Sequence, residues 1–214
     1  MKSYYIHLIR HGITSEGKKG AYIGSTDSPL CEEGITALKN ITEKYDYPCV
    51  PIVLTSPMLR CVQTCNLIYP DIKPQAEENL RECSFGRFEG KTAAELKDDP
   101  EFSLWLANSQ QTTPTGGESG ADFTKRICLC FEKIVNNLLK SGETQSAIIT
   151  HGGVIMTLLA IYGLPMAKPF EWQMDSGFGY SLRITPSLWM RDKVCEVCGL
   201  IPFEKEPEED DDES

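Results

Sequence analysis

Ile148-Ile149-Thr150-His151-Gly152-Gly153-Val154 is an apolar run that ends in a histidine and two glycines before becoming apolar again. It lies in the uncharged stretch from Gln145 to Ala167, which by length alone is enough to span a bilayer. The glycine pair argues against a span, because each glycine costs about 1 kcal/mol relative to alanine in a helix interior. A buried strand over Ala147–Thr150, a turn at His151, and a buried helix from Val154 to Tyr162 account for the stretch better. That strand–turn–helix step sets the fold class, because the same step recurs along the chain.

Upstream, Ser3–Ile9 is rich in β-branched and aromatic residues and predicts a strand, followed by a glycine-rich loop over Gly12–Asp27. Ser28-Pro29 predicts a helix start, with Glu32 and Glu33 in its first turn, running to about Tyr45. Val50–Leu54 predicts a second strand, and Ser56-Pro57 a helix to about Ile68. Asp71–Glu78 predicts an edge strand, and Thr92–Asn108 one or two short helices broken near Pro100. Ser119 opens an amphipathic helix to Lys140, with Phe123, Ile127, Phe131, Ile134 and Leu138 at helical spacing. Tyr180–Ile184 and Lys193–Val197 read as a closing pair of strands. Alternating strands and helices predict an α/β fold, a three-layer α/β/α sandwich with a central, mainly parallel sheet. One catalytic domain is expected over residues 1–203, with residues 91–115 as a small cap over the pocket.

The net charge of −10 is uneven. Glu204–Ser214 holds eight acids and one lysine, leaving about −3 on the rest, and reads as an acidic disordered tail over 204–214. No basic stripe points to a nucleic acid, and no membrane partner is expected. Nine irregularly spaced cysteines do not form a secreted disulfide framework. Reduced, mostly buried thiols in a cytoplasmic protein fit better. Cys195-Glu196-Val197-Cys198 lacks a second ligand pair, so neither a metal nor another cofactor is expected.

Four chemically loaded segments follow predicted strands, at the sheet rim where α/β proteins bind ligands. Arg10-His11-Gly12-Ile13-Thr14 joins a cation, a ring nitrogen and a glycine that allows close backbone approach. Ser56-Pro57 leads to Arg60 in the first turn of a helix, within reach of an anion at its N-terminus. Glu82 precedes an aromatic and glycine cluster, where shielding raises a carboxyl pKa and suits proton donation. Thr150-His151-Gly152 opens the last of the four. His7, the third histidine, lies inside a strand and reads as a packed core residue.

Together these segments resemble the histidine phosphatase superfamily, the phosphoglycerate mutase-like proteins, from Tyr5 to about Pro202. Ser56-Pro57…Arg60…Thr64, Phe85-Gly86…Glu89-Gly90 and Gly116-Gly117-Glu118-Ser119 match in order as well. The resemblance implies that His11 is the phosphoryl acceptor and that Arg10, Arg60 and His151 hold the phosphoryl oxygens. It makes Glu82 the general acid, then the general base. Gly12, Thr14, Gly17 and Gly152 are implied in substrate binding. Many members carry an Asn where Gly17 stands, so either a backbone N–H or one of Lys18 and Lys19 replaces it, or the pocket binds phosphate more weakly than usual.

The implied activity is metal-independent hydrolysis of a small phosphomonoester through a phosphohistidine. Gly20–Leu30 is similar to α-ribazole phosphatase-like bacterial members, which makes α-ribazole 5'-phosphate a candidate substrate. Mutase-type transfer is the alternative, and the short Lys91–Thr115 segment speaks against it, because phosphoglycerate mutases typically carry a long insertion there. A non-catalytic interaction protein on the same fold is a third reading. The oligomeric state, monomer or homodimer, stays open.

Overall fold

Two central strands buried on both faces build the three layers. The protein's structure, a computed structural model, describes residues 2–205. In chain order its strands are β1 (Tyr4–Arg10), β2 (Tyr45–Asp46), β3 (Val53–Thr55), β4 (Gln75–Ala76), β5 (Gln145–Thr150), β6 (Gly163–Leu164), β7 (Gly179–Ile184), β8 (Cys195–Ile201) and β9 (Phe203–Glu204). The helices are α1 (Ser15–Lys18), α2 (Glu32–Lys44), α3 (Leu59–Ile68), α4 (Ala93–Leu96), α5 (Pro100–Ala107), α6 (Gly120–Ser141), α7 (Gly152–Tyr162) and α8 (Pro186–Asp192).

The main sheet runs in the order β4-β3-β5-β1-β7-β8-β6. β1 is parallel to β5 and β5 to β3, while β7 alone runs against its neighbours β1 and β8. The sheet is therefore mainly parallel, as expected. Side chains alternate across it with the period of two that a pleated strand imposes. Ile6 and Leu8 of β1 and Ile148 of β5 join Phe123, Ile127 and Phe131 of α6, Leu158 of α7 and Trp189 of α8 in one core. Ile9, Ala147 and Ile149 face the other way, onto Leu38 of α2 and Cys61 and Cys65 of α3. α6 begins where Ser119 accepts from the Asp122 N–H and ends at Gly142, whose φ of 82° is the left-handed stop that glycine takes without penalty.

Several boundaries differ from expectation. The Gly12–Asp27 loop contains α1, a single turn capped by Thr14 that is too short to show periodicity. Ser28-Pro29 does not start α2, because Leu30 is held in an isolated bridge with Thr14 and Cys31 becomes the cap. Ser56-Pro57 likewise precedes α3 without capping it; Asp27 accepts from the Leu59 N–H at 2.6 Å instead. The edge strand shrinks to Gln75–Ala76. Glu204 and Lys205, the start of the expected tail, belong to the fold: β9 pairs with β2, and the Lys205 N–H donates to the Lys44 carbonyl. The rest of that tail lies outside the described residues.

All nine cysteines are free, but only Cys61, Cys65, Cys130 and Cys195 are buried, and Cys49 and Cys198 are exposed. The expectation of mostly buried thiols fails for the others: Cys31 caps α2, Cys49 and Cys83 lie in irregular segments, and Cys128 of α6 and Cys198 of β8 are partly or fully exposed. Among the described residues no helix is long and apolar enough to cross a membrane. His7 is buried between Ser181 and Gln145, at 2.8 Å from each.

Candidate active site

The carboxyl ends of β1, β3 and β5 lie side by side, so the residues that follow them reach one rim. A cleft of about 940 Å³ opens there, lined by Arg10, His11, Thr14, Gly17, Arg60, Glu82 and Gly152 among others. Seven of the nine residues singled out in the sequence thus share one cavity, although they span the first, second and third quarters of the chain.

His11 sits at the end of β1 with Nδ1 2.7 Å from the Gly12 carbonyl oxygen. A carbonyl only accepts, so Nδ1 carries the proton and Nε2 keeps a lone pair. Burial, then the Arg60 guanidinium, with a smaller push from Arg10, lower its pKa to about 3, against a weaker opposing effect of the Gly12 bond. The ring is therefore neutral, which is the nucleophilic form.

Gly12 does not line the cleft. Its N–H donates to Thr64 Oγ1 at 2.9 Å, and a Cβ there would stand 2.6 Å from Leu38 Cδ1. It clamps the His11 turn to α3 instead of touching a ligand. Thr64 in turn donates to the Arg60 carbonyl at 2.7 Å.

The two arginines supply positive charge without an acidic partner. Arg10 Nη1 donates to the Met174 carbonyl at 2.8 Å, while its Nε is buried and has no hydrogen-bond partner. Arg60 is 1% exposed and donates to the carbonyls of Gly24 (2.9 Å) and Thr26 (2.8 Å) and to His151 Nδ1 (3.3 Å). Neither guanidinium forms an ion pair with a carboxylate among the described residues. An uncompensated buried charge is costly for a fold, and a bound anion would compensate this one.

His151 stands against His11 with ring centroids 5.1 Å apart, but it lies behind the cleft wall, 1% exposed. Nδ1 accepts from Arg60, and Nε2 pairs with Ser56 Oγ at 2.8 Å. Both nitrogens are thus engaged by protein groups, and the cleft lining includes its neighbour Gly152 but not His151 itself. Burial, reinforced by His11 and Arg60, keeps its pKa well below the usual histidine range.

Glu82 accepts from two backbone N–H groups, those of Cys83 (3.0 Å) and Gly153 (2.9 Å). Burial raises its pKa above the ordinary carboxylate value and outweighs those two bonds and both arginines. A carboxyl with a raised pKa in the same cleft as a neutral histidine is the pairing that acid-assisted group transfer needs.

Two of the groups expected to replace the Asn at Gly17 have protein partners. The Gly17 N–H is used by Thr14 Oγ1 at 3.1 Å, and Lys18 Nζ pairs with Glu33 at 2.8 Å on the surface. Residues 91–115 do not line the cleft. Phe102 and Trp105 pack behind Tyr22 and Phe85, which do line it, so the expected cap sits one layer back. Tyr22, Phe85, Met156, Met174 and Phe178 give the cleft an apolar side. Sequence reasoning missed these residues, and missed Ser56 as the partner of His151; only their apolar character near the loaded segments could have marked them. Among the described residues no three His, Cys, Asp or Glu side chains cluster in a way that could hold a metal ion.

Known proteins resemble this chain along most of its length. The family model described as "Histidine phosphatase superfamily (branch 1)" matches residues 6–194. The adenosylcobalamin/alpha-ribazole phosphatase of Salmonella typhimurium is 28% identical over 195 residues, covering 88% of this chain and 90% of that protein. A 2,3-bisphosphoglycerate-dependent phosphoglycerate mutase of Bifidobacterium longum is 25% identical over 220 residues, covering 82% and 88%. The crystal structure of the alpha-ribazole phosphatase from Shigella flexneri shares the fold, with a TM-score of 0.77 at 24% identity over 95% of this chain and 100% of that one.

Proposed function

Because this chain belongs to the histidine phosphatase superfamily, branch 1, we propose that it is a phosphatase that hydrolyses a small-molecule phosphomonoester through a phosphohistidine at His11. The observation that carries this reading is a neutral histidine, its Nδ1–H held by the Gly12 carbonyl, in a cleft with two guanidiniums that lack carboxylate partners. Phosphoryl transfer is mainly positioning and charge stabilisation, and the arginines supply both.

In the first step His11 Nε2 attacks phosphorus. The N–P bond forms as the bond from phosphorus to the leaving oxygen breaks, and Glu82 gives its proton to that oxygen, releasing an alcohol. In the second step the Glu82 carboxylate takes a proton from water, whose oxygen attacks phosphorus. The N–P bond breaks, orthophosphate leaves, and both residues return to their starting states. Arg10 and Arg60 hold the non-bridging oxygens throughout, while Thr14, Gly17 and Gly152 shape the wall around them. No metal takes part in this scheme.

The finer reading is that the substrate is α-ribazole 5'-phosphate or a phosphomonoester of similar bulk, acting in the cytoplasm. Two observations support it: the names of the relatives, and the apolar side of the cleft, which a phosphate alone does not need. Free thiols suit a reducing compartment.

The test is to trap the intermediate with labelled substrate in the presence of EDTA. The wild type should carry an acid-labile, alkali-stable label that His11→Ala abolishes. A label on Ser56, Cys83 or His151, or turnover that requires added Mg²⁺ or Zn²⁺, would overturn the scheme.

A further inference from the structure

Arg60 occupies its position without a carboxylate to attract it. Two of its three acceptors, the carbonyls of Gly24 and Thr26, belong to an irregular segment with no sheet or helix of its own. What fixes that segment therefore fixes the guanidinium. On one side Asp27 is bonded to the N-terminus of α3 at Leu59. On the other stands Glu89, which no step above uses.

Glu89 gathers the segment tightly. Its Oε1 accepts from the Ser25 N–H (2.7 Å), the Ser25 hydroxyl (2.6 Å) and the Phe85 N–H (3.2 Å). Its Oε2 accepts from the Thr26 N–H (2.6 Å) and the Thr26 hydroxyl. Gly24 is pressed so close to the next chain segment that a Cβ would meet the Cys83 carbonyl oxygen at 1.7 Å. Burial pushes the Glu89 carboxyl up, but the donors outweigh it and hold its pKa below the ordinary range. An ionised, multiply bonded carboxylate is far stiffer than a surface glutamate. Successive residues point their N–H groups at Glu89 while the carbonyls of the same segment point at Arg60.

We propose that Glu89 is a positioning residue for the phosphate-binding guanidinium. By holding the Ser25 and Thr26 N–H groups, it aims the Gly24 and Thr26 carbonyls at Arg60. The inference rests on the reading that Arg60 binds the phosphoryl group. It predicts a specific form of coupling: substitution of Glu89 weakens oxyanion binding only while Arg60 is present.

The experiment is a double-mutant cycle with Glu89→Gln and Arg60→Ala, read by calorimetric affinity for inorganic phosphate and by KM and kcat on nitrophenyl phosphate. Arg60→Ala alone should weaken phosphate binding by about tenfold to a hundredfold. If it does not, the assignment of Arg60 itself fails. Glu89→Gln should weaken phosphate binding by about tenfold, raising KM more than it lowers kcat. In the Arg60→Ala background it should change affinity less than twofold. Equal effects in both backgrounds, or intact phosphate affinity in Glu89→Gln, would overturn the inference. If Glu89→Gln does not fold, Ser25→Ala/Thr26→Val removes the two hydroxyl donors to Glu89, together with the Ser84 bond to the Ser25 hydroxyl, and keeps the carboxylate. It should weaken phosphate binding severalfold, again only with Arg60 in place, and an equal effect without Arg60 overturns the inference in the same way.

Discussion

The Gly153 N–H donates to Glu82 Oε2 across 2.9 Å, and a Cβ on Gly153 would stand 2.4 Å from Glu82 Oε1. The atom in the way is the end of a flexible side chain, so Gly153→Ala should move the carboxyl and leave the fold intact. Alanine is also the better helix former by up to about 1 kcal/mol. We expect an unchanged or higher thermal midpoint together with turnover on an alkyl phosphate reduced by about tenfold or more. A variant that loses stability but keeps its turnover would show that Glu82 does not depend on this gap.

The pH profile should carry the signature of both shifted groups. His11 must be neutral to attack, and its pKa of about 3 places the acid limb far below the usual histidine range. Glu82 must be protonated to assist, so activity on alkyl phosphates should fall as pH rises through its raised pKa. The substrate ionises as well, near pH 6. Comparison with Glu82→Gln isolates the enzyme's part: the alkaline limb should flatten in the variant. An alkaline limb that persists unchanged there belongs to another group.

Leaving-group basicity gives an independent handle on Glu82. An alkyl phosphate expels a strongly basic alkoxide, so Glu82→Gln should slow phosphoenzyme formation by roughly 10²–10⁴-fold. A nitrophenolate leaves without a proton, and its burst should be nearly preserved, followed by slow turnover as the phosphoenzyme accumulates. Rapid-quench bursts on the two substrates decide the matter. Equal slowing would make Glu82 a holder of phosphate or of structure.

Two guanidiniums without carboxylate partners should make the fold respond to anions. At a hundred times its dissociation constant, orthophosphate should stabilise by about 2.7 kcal/mol. For a chain of this size that is a rise of about 5–10 °C in thermal midpoint. The rise should persist in EDTA and largely vanish in Arg60→Ala. A rise that EDTA removes would place a cation in the site.

Arg10 and His11 are legible because one ends a strand and the other follows it, Arg60 because it lies in the first turn of a helix, and Glu82 because it comes a few residues after the edge strand, so local pattern alone brings them to the rim. The groups that orient them are not, because those contacts join distant positions. Thr64 meets Gly12 from 52 residues away, Ser56 meets His151 from 95, and Glu89 meets Ser25 from 64. No periodicity encodes such pairs. The Ser-Pro signal was misleading twice for a shared reason. At Ser28 and at Ser56 the dipeptide sets the approach to a helix two or three residues later, and in the second case the hydroxyl is committed to His151.

The bond from Arg10 to the Met174 carbonyl spans 164 positions of the chain. During synthesis, at about 5–20 residues per second, those positions are separated by roughly 10–30 seconds. β1 emerges among the first elements, but it remains the middle strand of a sheet whose neighbours are not yet made. Its partner β7, and the Met174 carbonyl just before it, arrive near the end. A nascent chain therefore carries His11 long before the pocket around it is finished. Only a chain extended as far as β7 can close the site, so chains cut short before β7 lack it even where their earlier strands have begun to fold.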